Sequence, residues 1–327
     1  MPDAAIQLTS VTKQFRDKLA VDDLDLTVPT GSLMGFLGPN GAGKTTTIRM
    51  VMSIFPPDTG SVSVLGKASA TESKDRIGYL PEERGVYRKM RVGQFLRYVG
   101  TLKGVPSREL NQRIDIWLER VKLPEVRKKK CEELSKGMQQ KIQFIATVIH
   151  EPELIILDEP FSGLDPVNQR LLRDLVQQLH DEGRTIIFST HVLEQAEKLC
   201  DRVVMIDQGK KIREGTVDDV RSSHAPPTLV IVPPGAVPSV EAEAITERLS
   251  QIPGVTEARM TRDQTFEARL EEHADHQNVM QAAVALGPAS RVELRRATLE
   301  DVFIDLIGAS IAEREQQTQP AVEEVEA

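Results

Sequence analysis

The run Gly38-Pro39-Asn40-Gly41-Ala42-Gly43-Lys44-Thr45 limits what this chain can fold into more than any other stretch. It fits G-x-x-x-x-G-K-[ST], and its flanks suit that pattern. SLMGFLG, Ser32 to Gly38, is a short apolar run ending in glycine, as a buried strand does. KTTTIRMVMSIF then puts Ile48, Val51, Met52 and Phe55 at helical spacing, and PPDTG stops the helix. Glycines let the backbone turn its N–H groups inward around an anion. A helix beginning near Lys44 points the positive end of its dipole at the same place. Lys44 supplies a point charge for the β and γ phosphates of a nucleotide, with Thr46 following on the helix. The Thr45 hydroxyl suits Mg²⁺, a hard cation that takes oxygen ligands.

The rest of the first 220 or so residues alternates strand and helix patterns. LIILD (Leu154 to Asp158) and TIIFS (Thr185 to Ser189) are continuous apolar runs, typical of parallel strands buried on both faces. Between them Leu172, Leu175, Val176 and Leu179 form one helical stripe that Gly183 ends. Strand, helix, strand predicts a parallel α/β sheet. Ligands of such sheets bind outside the carboxyl ends of the strands. Asp158 and Glu159 stand at one such end and His191 just past the next. Asp158 suits water-mediated Mg²⁺ binding, and Glu159 suits polarising an attacking water. His191 reaches for the γ-phosphate. VVMIDQGKKI predicts a hairpin turning at Gln208–Gly209. Residues from about Arg91 to Gln140 are helical, polar and basic, and predict a helical subdomain. Its Arg127–Lys130 run reads as a solvated face, with a membrane-side contact as the alternative. In EELSKGMQQK, Ser135 can cap a helix whose Gln139, Gln140 and Lys141 open a polar face.

Pro- and Ser-rich stretches at Arg221–Thr228 and Pro233–Gly235 mark a boundary. Beyond it come a strand (Leu229–Val232), a helix (Val240–Gln251) and two strands (Val255–Met260, Thr265–Leu270), then a helix (Gln277–Leu286) and a strand (Arg291–Leu294). That βαββαβ order is a small α+β, ferredoxin-like unit. TLEDVFIDLIG adds a last helix, and the acidic tail lacks core residues and predicts disorder. The expected division is 1–222, 228–310 and 311–327.

Composition narrows the class. Apolar residues make up 40% and charged residues 28%, the balance of a folded soluble chain with a real core. Lys and Arg number 41 against 49 Asp and Glu, so the net charge is −8, the wrong sign for a general phosphate-backbone binder. Aromatics at 4% argue against base-stacking platforms. Two cysteines, Cys131 and Cys200, make neither a metal cluster nor a disulfide framework. The N-terminal residues lack the basic and apolar regions of a signal peptide. No apolar run approaches the ~20 residues needed to span a bilayer, so a membrane span would have to come from another chain.

Five segments stand in a fixed order: the phosphate loop, LSKGM (Leu134–Met138), LIILDEP, SGLD (Ser162–Asp165) and STH (Ser189–His191). From Ile6 to about Arg221 the chain resembles the ATP-binding-cassette (ABC) ATPases, which are P-loop NTPases with a helical subdomain. The resemblance implies ATP and Mg²⁺ as ligands, with Lys44, Glu159 and His191 as catalytic groups. Thr45, Asp158 and Glu82 are the implied metal ligands, and Phe15 is the implied adenine-stacking ring. In this family the signature loop, usually LSGGQ, binds the γ-phosphate of ATP held by a partner subunit. Ser135 and Gly137 match its hydroxyl and backbone N–H positions, which implies a homodimer with SGLD crossing the seam. Three letters depart from the pattern: Lys136 for glycine, Met138 for glutamine, and Glu82 for glutamine. A left-handed backbone at Lys136 would cost roughly 1 kcal/mol.

LPEERGVYRKM, ELSKGMQQK and the appended domain are similar to ATPase subunits of sodium- and drug-efflux systems. Those work at the cytoplasmic face of the membrane on a separately encoded permease, without nucleic acid. A soluble cassette ATPase acting on ribosomes or DNA is the runner-up. A nucleotide-sensing module without turnover is the third reading.

Overall fold

A computed structural model describes residues 3–16, 18–83, 85–222, 227–271 and 273–307; the tail expected to be disordered lies outside them. The chain divides into two compact units, one ending at Thr216 and the other starting at Val217.

In the first unit, β1 (Ala4–Phe15) and β2 (Lys18–Pro29) form an antiparallel pair. β3 (Leu33–Leu37) leads into the phosphate loop and α1 (Lys44–Val51). β4 (Thr59–Val64) returns to pair with β1, giving a three-stranded sheet that the sequence patterns did not resolve. Its inner residues, Ile6, Leu8, Val28 and Val64, bury against Met34, Phe36, Ile48 and Met50. The helix after the loop is shorter than its periodicity predicts. Ser53 adopts φ 54°, and Ile54 N–H donates to the Arg49 carbonyl, so Met52 and Phe55 pack from a turn.

β5 (Ile77–Leu80) precedes the helical segment: α2 (Val92–Leu102), α3 (Ser107–Arg120) and α4 (Lys136–Val148). Leu110, Ile114, Trp117 and Phe144 are buried among these helices, and the Trp117 and Phe144 rings meet edge to face at 6.2 Å. The chain continues through β6 (Leu154–Asp158), α5 (Pro166–Asp181), β7 (Thr185–Thr190), α6 (Leu193–Leu199), β8 (Arg202–Asp207) and β9 (Lys210–Thr216). The large sheet runs β5-β6-β7-β3-β8-β9, parallel except for the β8–β9 hairpin. Its β6–β7 register sets Asp158 beside Ser189, and its β3–β7 register sets Leu37 beside Thr190. One sheet edge therefore carries the phosphate loop, the two acids and His191.

Burial corrects the polar face expected at the start of α4. Gln140 and Lys141 are both buried. Gln139 reaches the Cys131 and Leu134 carbonyls, Gln140 reaches Pro160, and Lys141 reaches Val121. Each polar group is tolerated inside because it meets a backbone carbonyl.

The second unit begins with α7 (Val217–Ser222) and continues through β10 (Thr228–Val232), α8 (Ser239–Ser250), β11 (Val255–Met260), β12 (Phe266–Leu270), α9 (His276–Val284) and β13 (Arg291–Arg295). Its strands lie in the order β11-β12-β10-β13, with every neighbour antiparallel. Leu229, Ile231, Phe266, Ala268 and Leu270 point to one face and bury against Ala242, Leu249 and Val279 of the helices. On the other face Glu267 accepts bonds from both Arg259 and Arg295. Residues 299–307 are helical.

Candidate active site

The phosphate loop is built where side chains cannot go. A β-carbon on Gly38 would lie 2.3 Å from the Ile206 carbonyl oxygen, and one on Gly43, at φ 107°, 2.5 Å from that of Ala20. The loop is also held from behind. In the hairpin turn after β8, Gly209 donates its N–H to Ala42 O at 2.8 Å, while its own carbonyl accepts from Asp22 N at 3.0 Å. The nest of inward N–H groups is thus formed in advance of a ligand.

Lys44 is 6% exposed and donates to the Gly38 carbonyl at 2.7 Å and the Pro39 carbonyl at 3.1 Å. Its Nζ lies 4.0 Å from Glu159 Oε1. Burial pulls the ammonium below its ordinary pKa, against the opposing pull of Glu159, Asp158 and Glu82. An arriving phosphate adds negative charge next to this cation and favours its charged form.

Asp158 is fully buried. Its Oδ1 accepts from the Ser189 hydroxyl and, at 3.4 Å, from Thr45 Oγ1. Its Oδ2 is buried without a hydrogen-bond partner among the described residues. Such an orphaned anionic oxygen is costly unless something cationic satisfies it. With the Thr45 hydroxyl beside it, this donor set fits a hard divalent cation. Glu159 follows at φ 49°, a left-handed backbone rare outside glycine. Its N–H is held by the Ser189 carbonyl and hydroxyl, each at 3.2 Å. Its Oε1 lies 2.8 Å from Nδ1 of His191, whose ring is half exposed. A carboxylate fixed this way can take a proton from water, and the histidine can orient it.

Lys44 and Glu159 open onto a cleft of ≈ 390 Å³ whose lining does not include Asp158 or His191. Phe15, Asn40, Gly41, Gly43, Lys44, Thr45, Thr46, Glu82 and Glu159 all line it. Phe15 packs edge-on against Phe55 at 5.5 Å, under the Lys13 ammonium, and leaves 44% of its surface exposed. Lys18 and Ala20 also line the cleft and were missed in the sequence. Lys18 pairs with Phe15 across the β1–β2 turn, so only knowledge of that hairpin reveals it. Ser189 was missed for the same reason: its partnership with Asp158 appears only in the strand register.

Ser135 and Gly137 do not line this cleft. Ser135 caps α4, accepting from Met138 N at 3.3 Å. Lys136 is the first helical residue and does not have positive φ, so the suspected strain is absent. A β-carbon on Gly137 would lie 3.4 Å from Leu164 Cδ2, so the start of α4 lies against the SGLD loop of its own chain.

The sequence matches the family described as ABC transporter over residues 21–162, and the ATP-binding protein DrrA1-3-like C-terminal domain over residues 215–307. It is 39% identical to the uncharacterized ABC transporter ATP-binding protein YhaQ of Bacillus subtilis, over 93% of this chain and 99% of that one. It is 34% identical to the daunorubicin resistance ATP-binding protein DrrA3 of Streptomyces coeruleorubidus, over 94% and 97%. A solved ATP-binding subunit of an ABC transporter superposes with TM-score 0.63 at 28% identity, covering 67% of this chain and 92% of that one. The chain therefore belongs to the ATP-binding proteins of ABC transporters, ATPases that work with transmembrane components.

Proposed function

We propose that the chain is the motor of an efflux system, exporting ions (sodium among the candidates) or small molecules through a separate permease. The observation that carries this is the second unit. It has the DrrA1-3-like C-terminal domain, and the match to the resistance protein DrrA3 runs through both units. The linearmycin resistance ATP-binding protein LnrL of Bacillus subtilis is likewise 32% identical over 94% of this chain and 99% of its own. No helix among the described residues is long and apolar enough to cross a membrane, which supports peripheral attachment at the cytoplasmic face through the permease. The assignment of residues 1–222 to ATP binding and 228–310 to an accessory role belongs to the same reading.

In this reading ATP sits in the cleft, with adenine on Phe15 and its phosphates in the Gly38–Thr46 cradle. Thr45, Asp158 and Glu82 would hold Mg²⁺, which when bound neutralises charge on the β and γ phosphates. Glu159 takes a proton from the attacking water. The water oxygen bonds to the γ-phosphorus as the bond to the β–γ bridging oxygen breaks, giving ADP and phosphate. Lys44 and His191 hold the γ-phosphate oxygens as that charge moves. Ser135 and Lys136, exposed at the start of α4, are free to meet a second copy's nucleotide, so the working form is a homodimer. Nucleic acid has no part in it; the net charge of −8 is of the wrong sign.

The test is a pull-down of the tagged Glu159→Gln chain from detergent-solubilised native membranes with ATP. A co-purifying polytopic membrane protein is expected. Ribosomal proteins or nucleic acid in its place would overturn the export reading and favour a soluble cassette ATPase.

A further inference from the structure

We propose that Gln140 is a positioning residue for hydrolysis, coupling the start of α4 to Glu159 through the Pro160 carbonyl. Gln140 is 4% exposed, and its Nε2 donates to Pro160 O at 3.2 Å. A carbonyl can only accept, so the side-chain amide must present its NH₂ there. Pro160 has no N–H of its own, so this carbonyl is its one polar backbone handle. It belongs to the second peptide after Glu159, the one that joins Pro160 to Phe161. Glu159 itself is already held at φ 49°, with its N–H on Ser189. Glu159 is therefore gripped on both sides, by β7 before it and by α4 after it.

The same helix face touches the loop a second time. Gly137 lies one turn before Gln140, and its bare side faces Leu164, whose Cδ2 would lie 3.4 Å from a β-carbon placed there. Gln169 closes the loop from α5, donating to the Leu164 carbonyl at 3.0 Å and toward that of Phe161 at 3.4 Å. A shift or rotation of α4 strains both the Gln140–Pro160 bond and the approach of Gly137 to Leu164. Whatever engages the exposed Ser135 and Lys136 at the start of α4 is thus felt at the Glu159 carboxylate through the Gln140–Pro160 hydrogen bond and the close approach of Gly137 to Leu164. This coupling lies within a single chain. It rests on Glu159 being the group that takes the proton from water.

The experiment compares steady-state ATP hydrolysis by the full chain and its Gln140→Met, Gln140→Glu and Glu159→Gln variants. Gln140→Met keeps the shape and loses the donor. Its kcat should fall by ~10-fold with KM for ATP within about twofold, because only the placement of the base is lost. Gln140→Glu, nearly isosteric, sets a carboxylate against the carbonyl and should fall further; it also serves if the methionine variant folds poorly, which melting temperatures will reveal. In a Glu159→Gln background, single-turnover rates should drop no further on adding Gln140→Met. An unchanged kcat in Gln140→Met, or an equal fractional loss with and without Glu159, overturns the coupling while leaving the role of Glu159 intact. Wild-type turnover in Glu159→Gln alone would overturn the site reading and this proposal together.

Discussion

Replacing Gly209 by alanine is a demanding test, because the residue lies outside every recognisable phosphate-binding segment. Its φ is 83°, where an L-residue costs ~1–2 kcal/mol. The new methyl would lie 2.9 Å from Ala20 O, 3.0 Å from Val21 Cα and 3.1 Å from Ala20 C. All three are backbone atoms of β2, so none can swing aside as a side-chain tip would. Forcing packed backbone apart adds ~1–3 kcal/mol. For a unit of this size each kcal/mol lowers the melting temperature by ~2–4 °C, so a fall of roughly 4–20 °C is expected. Nucleotide affinity should fall too, by ~10-fold, because Gly209 N–H is what holds Ala42 in the phosphate loop. Scanning calorimetry of the full chain with and without ATP follows the transition that nucleotide raises, and titration calorimetry gives the affinity. Gly209→Asn separates the two costs: asparagine tolerates this φ but brings the same β-carbon, so it should recover only part of the loss. A melting shift under ~2 °C with unchanged affinity would refute the reasoning. Full recovery with asparagine would remove the crowding half of it.

Three further outcomes are expected. Lys44→Met should weaken ATP binding by ~10–100-fold in titration calorimetry, the loss of the one charge-assisted hydrogen bond the ammonium has left to give, and wild-type affinity would refute it. Glu159→Gln should keep ATP affinity while phosphate release falls by ~10²-fold or more; equal losses in both would mean the carboxylate binds rather than catalyses. Burial pushes His150 from 6.5 down to about 4, and in the folded chain its neutral ring lies 3.1 Å from the Ile77 carbonyl. Its contribution to stability is therefore complete above pH 6.5 and is lost as the pH falls toward about 4. His150→Gln keeps a donor but does not titrate, so its melting temperature should vary less with pH across that window than the wild type's; parallel curves would count against it.

What the sequence revealed tracks how local each signal is. The phosphate loop, the LIILD strand and the Gln208–Gly209 turn are encoded by adjacent residues, and the structure has them where the patterns put them. The second unit was legible because its strands and helices each have ordinary length and clean boundaries. The β1–β2–β4 sheet was not. Its third strand arrives from across the phosphate loop and α1, and β1 carries register shifts against both neighbours that blur its alternation. Gln140 and Lys141 were misread because polarity predicts exposure on average, whereas here two backbone carbonyls draw them inside. In the candidate site, the shared sheet edge of the phosphate loop, the two acids and His191 was legible, and their side-chain partnerships were not. Nothing in FSTH announces that its serine holds Asp158, since that contact is a product of strand register.

An ammonium has three protons to give. In Lys44 two of them already go to the carbonyls of Gly38 and Pro39. The side chain is then a tripod with two feet planted and one raised. Its single remaining N–H has a fixed origin and a narrow cone, so the ligand must bring an oxygen to that spot rather than be sought out by a flexible chain. Arginine would keep the charge and lose this stance, because a planar guanidinium cannot place two donors on those carbonyls and a third out of their plane. The loop therefore recognises the position of a phosphate oxygen as well as its charge.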